Sequence, residues 1–289
     1  MSESASASIV WADLEPDEEI LAALYHAGDR PEAGDQNEKR HWSERFAHAS
    51  AVAIANEVRR CRQLPPAKKV LPLSLAQGTE PLTPLGAGTT KRIDVTVADP
   101  VLGLELGFSL KGLNFKDAGS GNYDKNLTGR LYELGDEVRM VHEHLPHAFM
   151  VGVFFLPMES TADKSTGQSS FAHTVGKLRD RTGRLDFALA GHAPRCDSSW
   201  VALYTLGIEP QGFPRGLARF FNVQGAPPHR GRPQVDLTLS LQGMVDSVVA
   251  EATGTTGRRF SDPEPEGPGA LPAQSTEFQG KKGYKRRQR

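Results

Sequence analysis

Apolar and polar residues follow two clear periods along the middle of the chain. Apolar residues at steps of three and four predict helices at 14–27, 39–62, 126–145, 169–182 and 239–253. Alternating or continuous apolar runs predict strands at 91–98, 103–113, 147–157, 199–208 and 216–224. The order of these elements predicts an α/β fold, with one mixed β-sheet flanked by helices.

Two segments are less regular than the rest. The run VLPLSLA at 70–76 predicts a short strand that Pro72 interrupts. Residues 78–90 carry several Gly, Pro and Thr residues and are predicted to form a loop. The pair Asp99 and Pro100 is a turn signal between two predicted strands. These two strands are therefore expected to pair as a hairpin.

The two ends differ in composition from the middle. Residues 259–289 are rich in Pro, Gly, Ser and Glu and finish with the basic run KKGYKRRQR. Such a composition cannot bury enough apolar surface to offset the entropy of ordering. We therefore predict a disordered segment at 1–10, a single α/β domain at 11–258 and a disordered, basic-ended tail at 259–289.

The composition narrows the class of protein. The 289 residues contain two cysteines, Cys61 and Cys196, which excludes a disulfide framework or a four-cysteine zinc site. No apolar run reaches the length of about 18 residues that a membrane helix needs, and the N-terminus lacks a secretory pattern. These features predict a cytoplasmic protein that does not bind membranes.

The charge is unevenly distributed. Although the net charge is −1, six of the basic residues lie in the last nine positions. The rest of the chain has 28 basic and 35 acidic residues, a net of −7. This balance argues against a protein that coats nucleic acid without specificity. Contact with DNA or RNA would require a local cleft, a bound cation or the basic tail.

The predicted hairpin carries the clearest chemical signal. Asp94 lies in its first strand, and Glu105, Gly107, Ser109 and Lys111 share one face of its second strand. A carboxylate that holds Mg²⁺ beside a lysine that stabilises charge is an arrangement suited to phosphodiester hydrolysis. An ordinary Asp–Lys ion pair on a surface hairpin would produce the same pattern.

The run KRIDVTVADPVLGLELGFSLKG resembles the core of the PD-(D/E)xK nuclease superfamily, whose fold is restriction-endonuclease-like. The resemblance covers roughly residues 40–160. It implies that Asp94 is the first catalytic acid, that Lys111 is the catalytic lysine and that Glu57 is the acid on the preceding helix. The backbone carbonyl of Leu110 would be a further metal ligand, and the bound ion would be Mg²⁺, or Mn²⁺ in its place.

The sequence departs from this pattern at Ser109, where the family has an acid. A carboxylate from a neighbouring element would have to replace it, and the candidates are Glu57, Glu105, Glu133 and Glu137. Glu105 lies about 13 Å back along the strand, which disfavours it. We favour Glu57 and Glu133, with Ser109 orienting the water or binding phosphate. The alternative consequence is a fold that has lost catalysis and only binds.

The segment after Lys111 is a polar loop that leads into the helix predicted at 126–145. It offers Asn114, Lys116, Asn126 and Arg130 as candidate substrate-binding residues, and Phe115 and Tyr123 as rings that could stack on bases. A solvated loop with a helix cap would have the same composition.

The hypothesis is a Mg²⁺-dependent endonuclease of the restriction or defence type that cleaves double-stranded DNA, with a homodimer as the candidate assembly. Two alternatives remain open at this stage. One is a catalytically inactive, nuclease-like DNA-binding protein. The other is an unrelated α/β regulatory protein in which Asp94 and Lys111 are paired by chance.

Overall fold

A computed structural model describes residues 10–32, 35–65, 68–77, 82–86, 88–164, 167–183, 194–207 and 212–255. The predictions of disorder at 1–10, except for Val10, and at 259–289 lie outside these residues, as does the basic run that ends the chain. Within them the chain forms a seven-stranded mixed sheet, a separate two-stranded sheet and five α-helices. The prediction of a mixed sheet flanked by helices is confirmed.

The helices are α1 (Glu18–Ala27), α2 (Gln36–Arg60), α3 (Leu127–His144), α4 (Ser170–Arg179) and α5 (Leu241–Thr255). Aspartate side chains cap the N-termini of α1 and α2. Asp17 accepts a hydrogen bond from the amide of Ile20 at 3.1 Å, so α1 begins after Pro16 rather than at residue 14. Asp35 accepts from the amides of Asn37 and Glu38, both at 2.8 Å, and starts α2 three residues before the predicted position.

The large sheet has the order β1–β4–β5–β6–β7–β8–β9. Its strands are β1 (Lys69–Leu71), β4 (Val95–Asp99), β5 (Gly103–Gly112), β6 (Phe149–Pro157), β7 (Ser198–Tyr204), β8 (Ala218–Asn222) and β9 (Thr238–Leu239). β5, β6 and β7 are parallel neighbours, and the remaining pairs are antiparallel. The continuous apolar run that predicted a central strand is β6, which is buried along its whole length.

The helices cover both faces of the sheet, and the strand residues alternate between them. Leu106, Phe108 and Leu110 of β5 pack with α1, α2 and α5 in one apolar core. α3 and α4, which link the three parallel strands, pack on the opposite face in a second core. Gly107, Ser109 and Lys111 alternate with the first set and therefore face the α3 side.

The prediction of a loop at 78–90 is wrong over part of its length. β2 (Leu82–Gly86) and β3 (Thr89–Arg92) form an antiparallel hairpin that packs near α3. The strand predicted at 91–98 is accordingly divided. Arg92 ends β3, the chain bends at Ile93 and Asp94, and β4 begins at Val95. Asp94 therefore lies at the corner where the chain enters the large sheet.

Candidate active site

Asp94 is held against the second strand of the hairpin. β4 and β5 are antiparallel, and their pairing ends at Val95 opposite Phe108. The amide of Leu110 lies beyond this last pair, and it donates a hydrogen bond to Oδ2 of Asp94 at 2.5 Å. A backbone donor that would otherwise lack a strand partner thus fixes the carboxylate beside β5.

Glu137 of α3 brings a carboxylate next to Ser109, where the resemblance led us to expect an acid. The Ser109 hydroxyl, which is fully buried, donates a hydrogen bond to Oε2 of Glu137. The ammonium of Lys111 lies 3.1 Å from both carboxylate oxygens of Glu137. Asp94 and Glu137 are therefore anchored to adjacent residues of β5, Leu110 and Ser109, with the lysine next to them.

The ion pair between Lys111 and Glu137 is largely buried. The exposed fractions of the two side chains are 9% and 17%. Lys111 thus lies deeper than a strand end at the surface would place it. Water screens such a pair less than it screens a surface pair, so the interaction between Lys111 and Glu137 is correspondingly strong.

These residues lie in a cleft of about 800 Å³ between the first half of α2, β3, the segment after β5 and the start of α3. Seven Lys and Arg residues line it against four Asp and Glu residues. The cations come from every wall of the cleft: Lys39, Arg40, Arg92, Lys111, Lys116, Lys125 and Arg130. The cleft is therefore cationic, although the chain as a whole has a net charge of −1.

The two acids favoured from the sequence are not brought to this cleft. Glu57 lies near the end of α2, where it pairs with Arg60, and it is not among the lining residues. Glu133 pairs with Arg130 at 2.7 Å, is half exposed, and is likewise absent from the lining. Glu137, one turn after Glu133, takes the place given to them. Glu105 pairs with Lys68 at 2.9 Å.

The four predicted substrate-binding residues all line the cleft, with different environments. Asn114 is buried and bonded internally, to the Tyr204 hydroxyl at 3.0 Å and to Ser43 at 3.3 Å. Asn126 precedes α3 without using its side chain as a cap. Lys116 and Arg130 are the cationic members of the set.

The loop beyond Lys116 is closed by Asp117. Its carboxylate accepts hydrogen bonds from Lys125 and from the amide of Ser120, the latter at 2.8 Å. These contacts lower the pKa of Asp117 to about 2, so the carboxylate stays ionised. Tyr123 follows the loop but is only 3% exposed, and burial raises its pKa to about 12. Its ring is therefore not available to stack on a base.

The first half of α2 forms a wall that the sequence reasoning missed. Gln36, Lys39, Arg40, Ser43, Glu44, Ala47 and His48 recur at steps of three and four and line the cleft. This polar stripe lies beside the buried stripe that contains Trp42 and Phe46. The signal was present in the sequence as a second helical period, offset from the apolar one.

The donor set fits a hydrated Mg²⁺ ion and does not fit a metal held by protein alone. Within the described residues, no group of three or more His, Cys, Asp and Glu side chains could hold a metal ion. Mg²⁺ commonly uses one or two carboxylates and completes its shell with waters and substrate phosphate oxygens. Asp94 and Glu137, with the backbone carbonyl of Leu110, are an oxygen set of that kind.

No family model, no curated protein and no solved structure matches this chain. No helix within the described residues is long and apolar enough to cross a membrane.

Proposed function

We propose that the protein is a Mg²⁺-dependent nuclease that hydrolyses phosphodiester bonds in DNA. One observation carries the proposal. Asp94 and Glu137 are both anchored to β5 beside Lys111, inside a cleft whose other charged residues are mainly cations. Two carboxylates and a lysine suit a metal ion and a developing negative charge, and the surrounding cations suit a polyanionic substrate.

Glu137 also supports the resemblance to the PD-(D/E)xK superfamily. The motif lacks an acid at Ser109, and an acid from α3 reaches the same residue through a hydrogen bond. Apart from β1 and the β2–β3 hairpin, which follow α2, the order α2, β4, β5, α3, β6 agrees with the helix, hairpin, helix and strand that the resemblance implies. An inactive binding protein is the weaker proposal, because Glu137 offers a carboxylate next to Ser109, where the motif lacks an acid.

The residues have distinct roles in this proposal. Asp94, Glu137 and the Leu110 carbonyl would hold Mg²⁺, which neutralises phosphate charge and makes a water more acidic when it is bound. Lys111 stabilises the negative charge on the nonbridging phosphate oxygens as water attacks phosphorus and the bond to the leaving oxygen breaks. Ser109 orients Glu137 by hydrogen bonding. The restriction or defence context, a homodimer and the cytoplasmic location stay predictions from the sequence.

The test is a cleavage assay in Mg²⁺ or Mn²⁺, with EDTA as the metal-free control. Supercoiled plasmid and single-stranded DNA are the substrates. We expect Asp94→Asn, Lys111→Met and Glu137→Gln each to lower the rate by at least a hundredfold. Asp136→Asn is the matched control on α3, because Asp136 is exposed and pairs with Arg139 outside the cleft.

Glu133→Gln separates Glu133, the acid favoured from the sequence, from Glu137, the acid that contacts Ser109 and Lys111. We expect at most a few-fold change for this variant, because Glu133 contacts Arg130 and not β5. Loss of cleavage in Glu133→Gln with normal cleavage in Glu137→Gln would contradict the assignment. Cleavage in EDTA, or cleavage by Lys111→Met at the wild-type rate, would exclude the mechanism itself.

A further inference from the structure

Phe115 is the aromatic residue that the cleft offers to a ligand. Phe115 and Tyr123 both line the cleft, but Tyr123 is buried. Phe115 is half-buried, and its ring meets Trp42 edge to face, with the ring centres 5.7 Å apart. The ammonium of Lys39 lies 5.8 Å above the ring centre. The ring is therefore packed against Trp42 and has a flexible, charged side chain close to it.

The backbone before Phe115 is held in place, and the residue after it contacts an aromatic ring. Asn114 joins Tyr204 to Ser43 through its side chain, and its carbonyl accepts a hydrogen bond from Arg30 at 3.2 Å. On the other side, Lys116 lies 5.6 Å from the centre of the Tyr123 ring. A ring fixed before binding loses little conformational entropy when a ligand contacts it, so Phe115 is a preorganised surface.

Two lysines flank the ring without a carboxylate of their own. Among the described residues, Lys39 and Lys116 form contacts with aromatic rings and no ion pair. Arg92 on the opposite wall also has no acidic partner there. Cations that face a cleft without acidic partners contribute most to the binding of a polyanion, since no existing ion pair must be broken.

The face of a base can stack on Phe115 only if the base is not already stacked within a duplex. The cleft volume of about 800 Å³ lies in the range of pockets that enclose a small ligand, which suits a short piece of one strand. We propose that the cleft binds an unpaired nucleotide of a single strand, with its base stacked on Phe115 and the flanking phosphates on Lys39 and Lys116. This inference rests on the proposed function and narrows its substrate from DNA in general to single-stranded DNA, whereas the sequence alone predicted double-stranded DNA.

The test measures binding by the full chain in EDTA, so that metal-dependent cleavage does not interfere. The probes are a fluorescein-labelled 12-nucleotide DNA strand, its duplex and the RNA strand of the same sequence. We expect the wild-type protein to bind a single strand at least tenfold more tightly than the duplex. Phe115→Leu should lower single-strand affinity about 5- to 100-fold, and Phe115→Trp should restore it.

Tyr132→Leu is the matched control, because Tyr132 is 62% exposed on α3 and does not line the cleft. A second readout is the emission of 2-aminopurine placed within the strand. It should change on binding to wild type and change less with Phe115→Leu at saturating protein. Because this signal is read from bound strand, it reports stacking directly, and melting curves show that each variant is folded.

Three results would overturn the inference: equal affinity for strand and duplex, a Phe115→Leu variant that binds like wild type, or equal 2-aminopurine signals. The RNA strand distinguishes the two sources of an unpaired base, and tighter binding of RNA than DNA would overturn the assignment to DNA. Phe115-dependent strand binding without cleavage in any metal would refute only the nuclease. Glu137-dependent cleavage that is indifferent to Phe115 would refute only the stacking site.

Discussion

Lys111 and a bound cation should compete for Glu137, and Lys111→Met tests this directly. In the structure both carboxylate oxygens of Glu137 lie 3.1 Å from the Lys111 ammonium. A metal ion that takes Glu137 as a ligand must share it with the lysine or displace the lysine. Methionine keeps the length of the side chain and removes its charge. We therefore expect the variant to bind Mg²⁺ or Mn²⁺ more tightly while losing cleavage.

The size of the effect follows from the burial of the pair. An attraction between unit charges at about 4 Å is worth about 4 kcal/mol at an effective dielectric constant of about 20, whereas exposed pairs yield about 0–1 kcal/mol. With exposures of 9% and 17%, the Lys111–Glu137 pair lies between these limits. Because the displaced ammonium regains part of its hydration, we expect about 1–2 kcal/mol, which is roughly a 5- to 30-fold gain in metal affinity.

The assay is isothermal titration of Mn²⁺ and Mg²⁺ into each protein at constant ionic strength. Lys116→Met is the matched control, because it removes the same charge from the same cleft but has no carboxylate partner among the described residues. Comparing metal binding by the two variants removes the general effect of losing one positive charge from the cleft. If Lys111→Met binds metal no more tightly than Lys116→Met, Glu137 does not ligate the metal in the way proposed.

Three further predictions concern stability and the site. Gly216→Ala should lower the free energy of unfolding by about 2–4 kcal/mol, because φ is +87° and a Cβ would lie 2.6 Å from Cβ of Leu21. Gly231→Ala is the control: φ is +86° but the space around it is open, so urea titration should show only the smaller cost of the backbone conformation. Lys68 and two backbone amides lower the pKa of Asp99 to about 2. The contribution of Asp99 to folding stability is therefore present above about pH 4 and is lost as the pH falls toward 2. In urea unfolding across that range, the stability of Asp99→Asn should depend less on pH than that of the wild type. Ser109→Glu restores an acid at the position where the PD-(D/E)xK motif has one, but it should lower both the melting temperature and the cleavage rate. The reason is that Ser109 is fully buried against Glu137, where a second carboxylate would be repelled. A more active variant would contradict this.

Most of the fold could be predicted because its elements have strong periods. The apolar steps of α3 predict a helix, and the unbroken apolar run of β6, rich in Val and Phe, favours a buried strand. The hairpin of β2 and β3 could not be predicted in the same way, since Thr89–Arg92 is polar and only half-buried, so its pairing leaves no hydrophobic alternation. The bend at Asp94 follows from that hairpin and was missed with it.

The misplacement of Glu57 has an axial cause. α2 contacts the segment after β5 through Ser43, which lies 3.3 Å from Asn114. Glu57 is fourteen residues further along the helix, a separation of about 21 Å at 1.5 Å per residue. Glu57 also lies nine residues, about 14 Å, beyond His48, the last residue of α2 that lines the cleft. Rotation of α2 about its own axis would change the face on which Glu57 lies but not this axial distance. The apolar period of a helix defines its buried face but not which turn lies over the active site, and here long-range packing decides that position.

The choice between Glu133 and Glu137 has an angular cause, and it was within reach of the sequence. The buried residues Leu127, Leu131, Leu134, Val138 and Val141 define the centre of the apolar stripe of α3. At about 100° per residue, Glu137 lies about 80° from that centre and Glu133 about 120° from it, on the same side. Arg130, which also lines the cleft, lies about 60° away on that side. A carboxylate must lie close to the boundary of the buried stripe to reach a sheet residue such as Ser109, so the smaller angle favours Glu137. The cleavage rates of Glu133→Gln and Glu137→Gln measure whether that difference of about 40° decides catalysis.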